Sequence, residues 1–151
     1  MEDFRYFDRA QCYVGSPYFP GQYDCADLAV QVQREVFGRA VALPAHGTRP
    51  ASVQRVTSTH VQRLRDALAD KIDAPVTGCA VLLYTDEGTP ERPVRRWHVG
   101  TAFVRQTRCG QAETWLLHNS RATMGAALQR LDDVLRTGLR LDGFYSWRAA
   151  A

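Results

Sequence analysis

Four cysteines and four histidines are the residues of this chain best suited to chemistry, and three of the eight have a suggestive setting. Cys25 follows Asp24, a good helix N-cap. It opens an apolar run, Leu28, Ala29, Val32, Val36 and Phe37, that Gly38 closes. That spacing predicts a helix over Cys25–Phe37 with the thiol in its first turn. Backbone N–H groups without helical partners and the helix dipole favour an anion there, which lowers a thiol pKa. A thiolate so placed can attack a carbonyl, and the same N–H groups could hold the oxyanion that forms.

A cysteine nucleophile also needs a base, usually histidine, and often a third group that orients it. His98 falls in a predicted strand, Trp97–Val104, and His118 ends another, Glu113–His118. The connection Arg105–Gln111 contains Cys109-Gly110 and fits a hairpin. As antiparallel neighbours these strands would set the two imidazoles opposite or diagonal to one another. His46, in a loop, and His60, in a polar helical stretch, have no such reason to face a nucleophile. A single cysteine at a helix start is more often a packed small hydrophobe, and a strand histidine more often a structural residue. Their order in the chain, Cys25 and then His98 and His118 on successive strands, carries the reading.

The elements that must position these residues follow from the same patterns. Gly15 to Tyr23 is rich in Gly, Pro and aromatics and reads as an ordered loop ahead of the Cys25 helix. Arg39 to Pro50 reads as a loop. Val53, Val56, Leu64, Leu68 and Ile72 suggest a second helix from about Ala51 to Asp70. Cys79–Tyr84 is a short apolar run that predicts a buried strand. Ala127, Leu128, Leu131, Val134 and Leu135 suggest a short helix ending at Gly138. Leu139, Leu141, Phe144, Tyr145 and Trp147 suggest one or two closing strands. Helices first and strands after predict an α+β fold, N-terminal helices packed on an antiparallel sheet. No repeat or linker divides the 151 residues, so one domain is expected over 1–151.

Composition narrows the function classes. The longest clean apolar run, Ala80 to Tyr84, is far short of the roughly 20 residues that span a bilayer, so no membrane insertion is expected. The net charge is +3, and the arginines are spread along the chain rather than set in a dense stripe, so no nucleic-acid partner is expected. Cys12, Cys25, Cys79 and Cys109 show no close CxxC spacing, which argues against a structural zinc module. The expectation is that most of them are reduced, small and buried. Met1 to Arg5 holds no apolar stretch of the signal-peptide kind, so synthesis in the cytoplasm is expected, with any action outside requiring delivery.

Several stretches together resemble the NlpC/P60 cysteine peptidases. Gly15-Ser16-Pro17-Tyr18 followed by Tyr23-Asp24-Cys25-Ala26-Asp27-Leu28 is similar to that family's G-x-P-Y loop and D-C-S-G-L helix start. Pro75-Val76-Thr77-Gly78-Cys79-Ala80-Val81 resembles its P-G-D strand entry. Trp97-His98-Val99-Gly100 resembles its H-V-G strand, and Leu117-His118-Asn119-Ser120 its second-histidine segment. Leu141-Asp142-Gly143-Phe144-Tyr145-Ser146-Trp147-Arg148 is similar to closing strands of phage-tail members. The resemblance implies a papain-like α+β fold and hydrolysis of amide bonds in peptidoglycan stem peptides, typically between D-glutamate and a diamino acid. It implies Cys25 as nucleophile, His98 as base, His118 as orienting residue and Tyr18 as an aid to the oxyanion site, with no metal and no cofactor. Partners would be peptidoglycan peptides, together with a phage tail, a secretion system or an immunity protein, and the site of action would be the periplasm or cell wall.

The chain departs from that pattern at Ala26-Asp27, where Ser-Gly is usual, and at Cys79, where Asp is usual and packing is expected. Asp24 and Asp27 are candidates on the substrate side of the site. Asp27 could bind a substrate amine if it faced the cleft, but two positions from Cys25 it turns to a different helix face, as a capping or surface group would. Asn119, beside His118, is a candidate third residue. An amidase, deamidase or acyltransferase on the same residues, an inactive binding module, and a zinc site from Cys25, His98 and His118 are the rival readings.

Overall fold

The computed structural model describes residues 2–19, 22–43 and 58–149. Helix α1 (Glu2–Gln11) and α2 (Cys25–Phe37) come first, then α3 (Ser58–Leu68) and strand β1 (Ala69–Ile72). Strands β2 (Ala80–Thr89), β3 (Arg92–Gln106), β4 (Ala112–Ser120) and β5 (Gly125–Arg130) follow. The short α4 (Leu131–Leu135) and β6 (Arg140–Trp147) close the chain. The fold is α+β, as expected, with one antiparallel sheet in the order β1-β6-β2-β3-β4-β5.

Strand alternation gives the sheet two apolar sides. On one, Phe103, Leu117 and Ala126 meet Phe7 and Ala10 of α1 and Leu28, Val32 and Val36 of α2. Farther along that side, Val61 of α3 packs with Leu82, Trp97 and Tyr145. On the other, Val81, Leu83, Ala102 and Leu116 meet Leu131 and Val134 of α4.

Helix α2 has the bounds its sequence predicts, because both ends are marked locally. Asp24 caps the start, and Gly38, at φ 63°, takes the left-handed position past the end. The hairpin between β3 and β4 also lies where expected.

Other elements differ. Glu2–Gln11 is helical, where no element was expected. Of the helix expected over Ala51 to Asp70, residues 51–57 lie outside the described residues, as do 44–50 of the expected loop, with His46. The remainder is helical only as far as Leu68. Ala69–Ile72 is a strand, because its backbone pairs with β6 from Ala69↔Trp147 to Ile72↔Phe144. Ala127 and Leu128 are not helical either. They belong to β5, in which Ala126 and Leu128 face the α1–α2 side with the period of a strand. Only Leu131 to Leu135 turns as a helix. In both places apolar residues spaced at helical intervals are held extended by a partner strand, the distant β6 for β1 and the adjacent β4 for β5, which outweighs the local pattern. The closing segment forms one strand.

Phe103 is fully buried in the α1–α2 core. Phe103→Ala is expected to cost about 3–5 kcal/mol of stability. Met124→Ala, at a side chain 89% exposed, should stay within about 0.5 kcal/mol of wild type. Urea unfolding of both variants checks this.

Candidate functional site

Cys25 is the first residue of α2, and the two aspartates beside it build that helix start. The Asp24 carboxylate accepts from the backbone N–H of Ala26 at 2.9 Å and of Asp27 at 3.2 Å, and Asp27 accepts in return from the Asp24 N–H at 2.8 Å. This reciprocal box satisfies donors that a helix otherwise leaves open. Asp27 thus closes the cap, consistent with its position two residues from Cys25. The N–H groups of Ala26 and Asp27 are occupied by Asp24, so an oxyanion would have to find other donors. The Cys25 side chain is buried, as is that of Cys79. Cys12 and Cys109 are exposed, against the expectation that most would be buried. Burial pushes the Cys79 thiol upward, as suits an inert packed residue.

The loop ahead of Cys25 is tied to the sheet. The Gly15 N–H donates to the Ala126 carbonyl at 2.9 Å, and the Ala126 N–H to the Ser16 carbonyl at 2.8 Å. Asn119 Nδ2 donates to the Pro17 carbonyl at 3.3 Å. A side chain at Gly125 would lie 2.6 Å from the Ser16 carbonyl oxygen, so only glycine admits this approach. Tyr18, half-buried, follows Pro17 directly. Asn119 therefore anchors the Tyr18 loop and takes no part in a histidine relay.

The two histidines are joined side chain to side chain. His98 Nε2 lies 2.7 Å from His118 Nδ1, with the rings edge to face at a centroid distance of 4.9 Å. His118 Nε2 lies 2.8 Å from Gln129 Oε1. The contact depends on how β3 and β4 separate. Their pairing runs from Gln106↔Ala112 to Thr101↔Leu117 and stops there. Beyond it, β3 continues against β2 with Leu83↔His98, and β4 against β5 with His118↔Ala127. Gly100 keeps the strands close at the parting, because a Cβ there would lie 2.4 Å from Leu116 Cδ1 and 2.9 Å from the Leu117 carbonyl oxygen.

Gln33 Nε2 donates to the Gly78 carbonyl at 2.9 Å, and Phe37 stacks near Phe103, which fixes the C-terminal half of α2 beside the far end of β3. Cys25 lies about 18 Å back along the helix from Phe37, and His98 about 16 Å back along β3 from Phe103. By strand alternation, α2 covers the side of Phe103 and Leu117, while His98 and His118 share the side of Ala102 and Leu116. The histidine pair is thus assembled in the structure, and Cys25 stands on a separate element that packs against the other side of the sheet. Among the described residues, no three His, Cys, Asp or Glu side chains converge as a metal ion requires.

Burial pushes His98 down to about 3, with the neighbouring His118 ring acting in the same direction. Burial also lowers His118, opposed by its bond to Gln129. Both rings are therefore neutral at neutral pH. Gln129 was not among the expected site residues. It stands in a segment whose apolar spacing reads as helix, and only the strand makes it a diagonal neighbour of His118.

No family model, no curated protein and no solved structure matches this chain. Among the described residues, no helix is long and apolar enough to cross a membrane.

The unfolded chain binds a proton at each of these histidines near pH 6.5, and the fold resists it. Below that value the unfolded state holds more protons, so stability falls as pH falls toward the lowered folded-state values. The carboxylates held low by their partners, Glu35, Asp70 and Glu113, act only below their unfolded values near 4. The urea midpoint should therefore drop between pH 7 and pH 5, and the drop should shrink in a His98→Gln/His118→Gln variant. An equal drop in both proteins would contradict neutral buried rings.

Proposed function

We propose that this chain is a cysteine hydrolase of the NlpC/P60 kind, papain-like in fold, that cleaves amide bonds in peptidoglycan stem peptides. The observation that carries the proposal is the His98–His118–Gln129 chain of hydrogen bonds. It gives a neutral imidazole with a second imidazole to orient it, the arrangement a thiol nucleophile requires. Cys25, first in a capped helix, supplies the nucleophile. In this reading the thiol and His98 meet where β3 and β4 part.

In this mechanism the Cys25 proton passes to His98 as the sulfur attacks the scissile carbonyl. Burial holds His98 neutral, so the proton moves with attack rather than resting as a standing imidazolium. The tetrahedral intermediate collapses when His98 returns that proton to the leaving amine. Water, deprotonated by His98, then cleaves the thioester and restores the thiol. His118 holds the His98 ring throughout. By the motif resemblance, Tyr18 assists at the oxyanion. The substrate class rests on the motif resemblance, as does the suggestion that a phage tail or secretion machine carries the protein to the wall, with an immunity protein as the partner a delivered toxin would need.

Digestion of purified muropeptides followed by mass spectrometry tests the reading, because the product masses identify the bond cut. Wild type should release stem-peptide fragments, with a loss of about 10³-fold or more in Cys25→Ala and in His98→Ala. Undiminished cleavage by Cys25→Ala would refute the mechanism. Transfer products in place of hydrolysis products would mark an acyltransferase.

A further inference from the structure

We infer that Gln129 is a positioning residue, which acts through the His118 ring to fix which nitrogen of His98 carries its proton and which keeps its lone pair. The use of that lone pair in catalysis rests on the function proposed above. The proton assignment rests on the hydrogen bonds alone.

A carboxamide oxygen accepts and never donates, so His118 Nε2, 2.8 Å from Gln129 Oε1, must carry the N–H. A neutral imidazole has one N–H, which leaves His118 Nδ1 as an acceptor. That atom lies 2.7 Å from His98 Nε2, which must then donate. His98 Nδ1 keeps the lone pair and is the atom that takes the thiol proton. The opposite assignment sets the lone pair of His118 Nε2 against the Gln129 oxygen, a repulsion the buried ring cannot relieve through water. The fold brings the three groups together by diagonal reach across β4 and β5. His118 pairs with Ala127 and Leu116 with Gln129, so the long Gln129 side chain spans one step of the ladder. Gln129 is half-buried on the edge strand β5 and can change without opening the core.

The test needs no substrate. Long-range proton–nitrogen correlation spectra of the ¹⁵N-labelled full chain at pH 8 separate a bare ring nitrogen from an N–H nitrogen. Wild type is expected to show N–H at Nε2 and a bare Nδ1 on both rings. Gln129→Leu should lose that fixed pattern, and Gln129→Glu, which keeps an acceptor, should retain it. A wild-type proton on His118 Nδ1, as a turned Gln129 amide would impose, overturns the inference. So does a Gln129→Leu spectrum in which both rings match wild type. With a cleaved muropeptide, Gln129→Leu should lower kcat about tenfold or more with KM little changed, and Gln129→Glu should recover most of it. An unchanged kcat in Gln129→Leu with an altered proton pattern would overturn the positioning role. If wild type shows the expected pattern but cuts no muropeptide, the proposed function fails and the proton assignment stands.

Discussion

β3 and β4 hydrogen-bond as far as Thr101 and Leu117 and then go separate ways, one with β2 and the other with β5. The candidate site is built on that parting. Two strands farther apart could not hold imidazoles at 2.7 Å. Gly100 keeps them close, since any side chain there would strike Leu116 and the Leu117 backbone. The same end of the sheet receives the loop that leads to Cys25, through the backbone exchange of Gly15 and Ser16 with Ala126 and the bond from Asn119 to Pro17.

Burial gives the pair its character. An exposed histidine is partly charged near neutral pH, while one removed from water holds a proton poorly. His118, sealed between the sheet and its neighbours, is lowered by burial, and His98 is lowered further with a second ring beside it. The cost is a fold that loses stability as acid protonates its unfolded state. The gain is a base that stays free to accept. The Asp24–Asp27 box has a comparable double effect at the start of α2: it secures the helix that carries Cys25, and it occupies two donors that would otherwise face an incoming anion.

Legibility followed the range of the interactions that fix each part. Helix α2 could be read from sequence because Asp24, the apolar stripe and Gly38 act within the segment itself. His98 and His118 could be paired because their two strands are joined by a short hairpin. Strand alternation turns Asn119 away from His118, but its partner, the Pro17 carbonyl, lies 102 residues away and could not be read. Ala69–Ile72 and Gly125–Arg130 were misread because their partners, β6 and β4, decide their shape. Gln129 was hidden by the same misreading, since on a helix it has no geometric relation to His118.

The α+β class, the capped helix that begins at Cys25, and the strands that carry His98 and His118 follow from caps, periodicity and hairpin spacing, which are local. Strand pairing settled that β1 and β5 are extended and that Gln129 completes the chain of bonds to His98. Each of these depends on which backbone lies alongside, and an apolar spacing read within one segment does not name that partner.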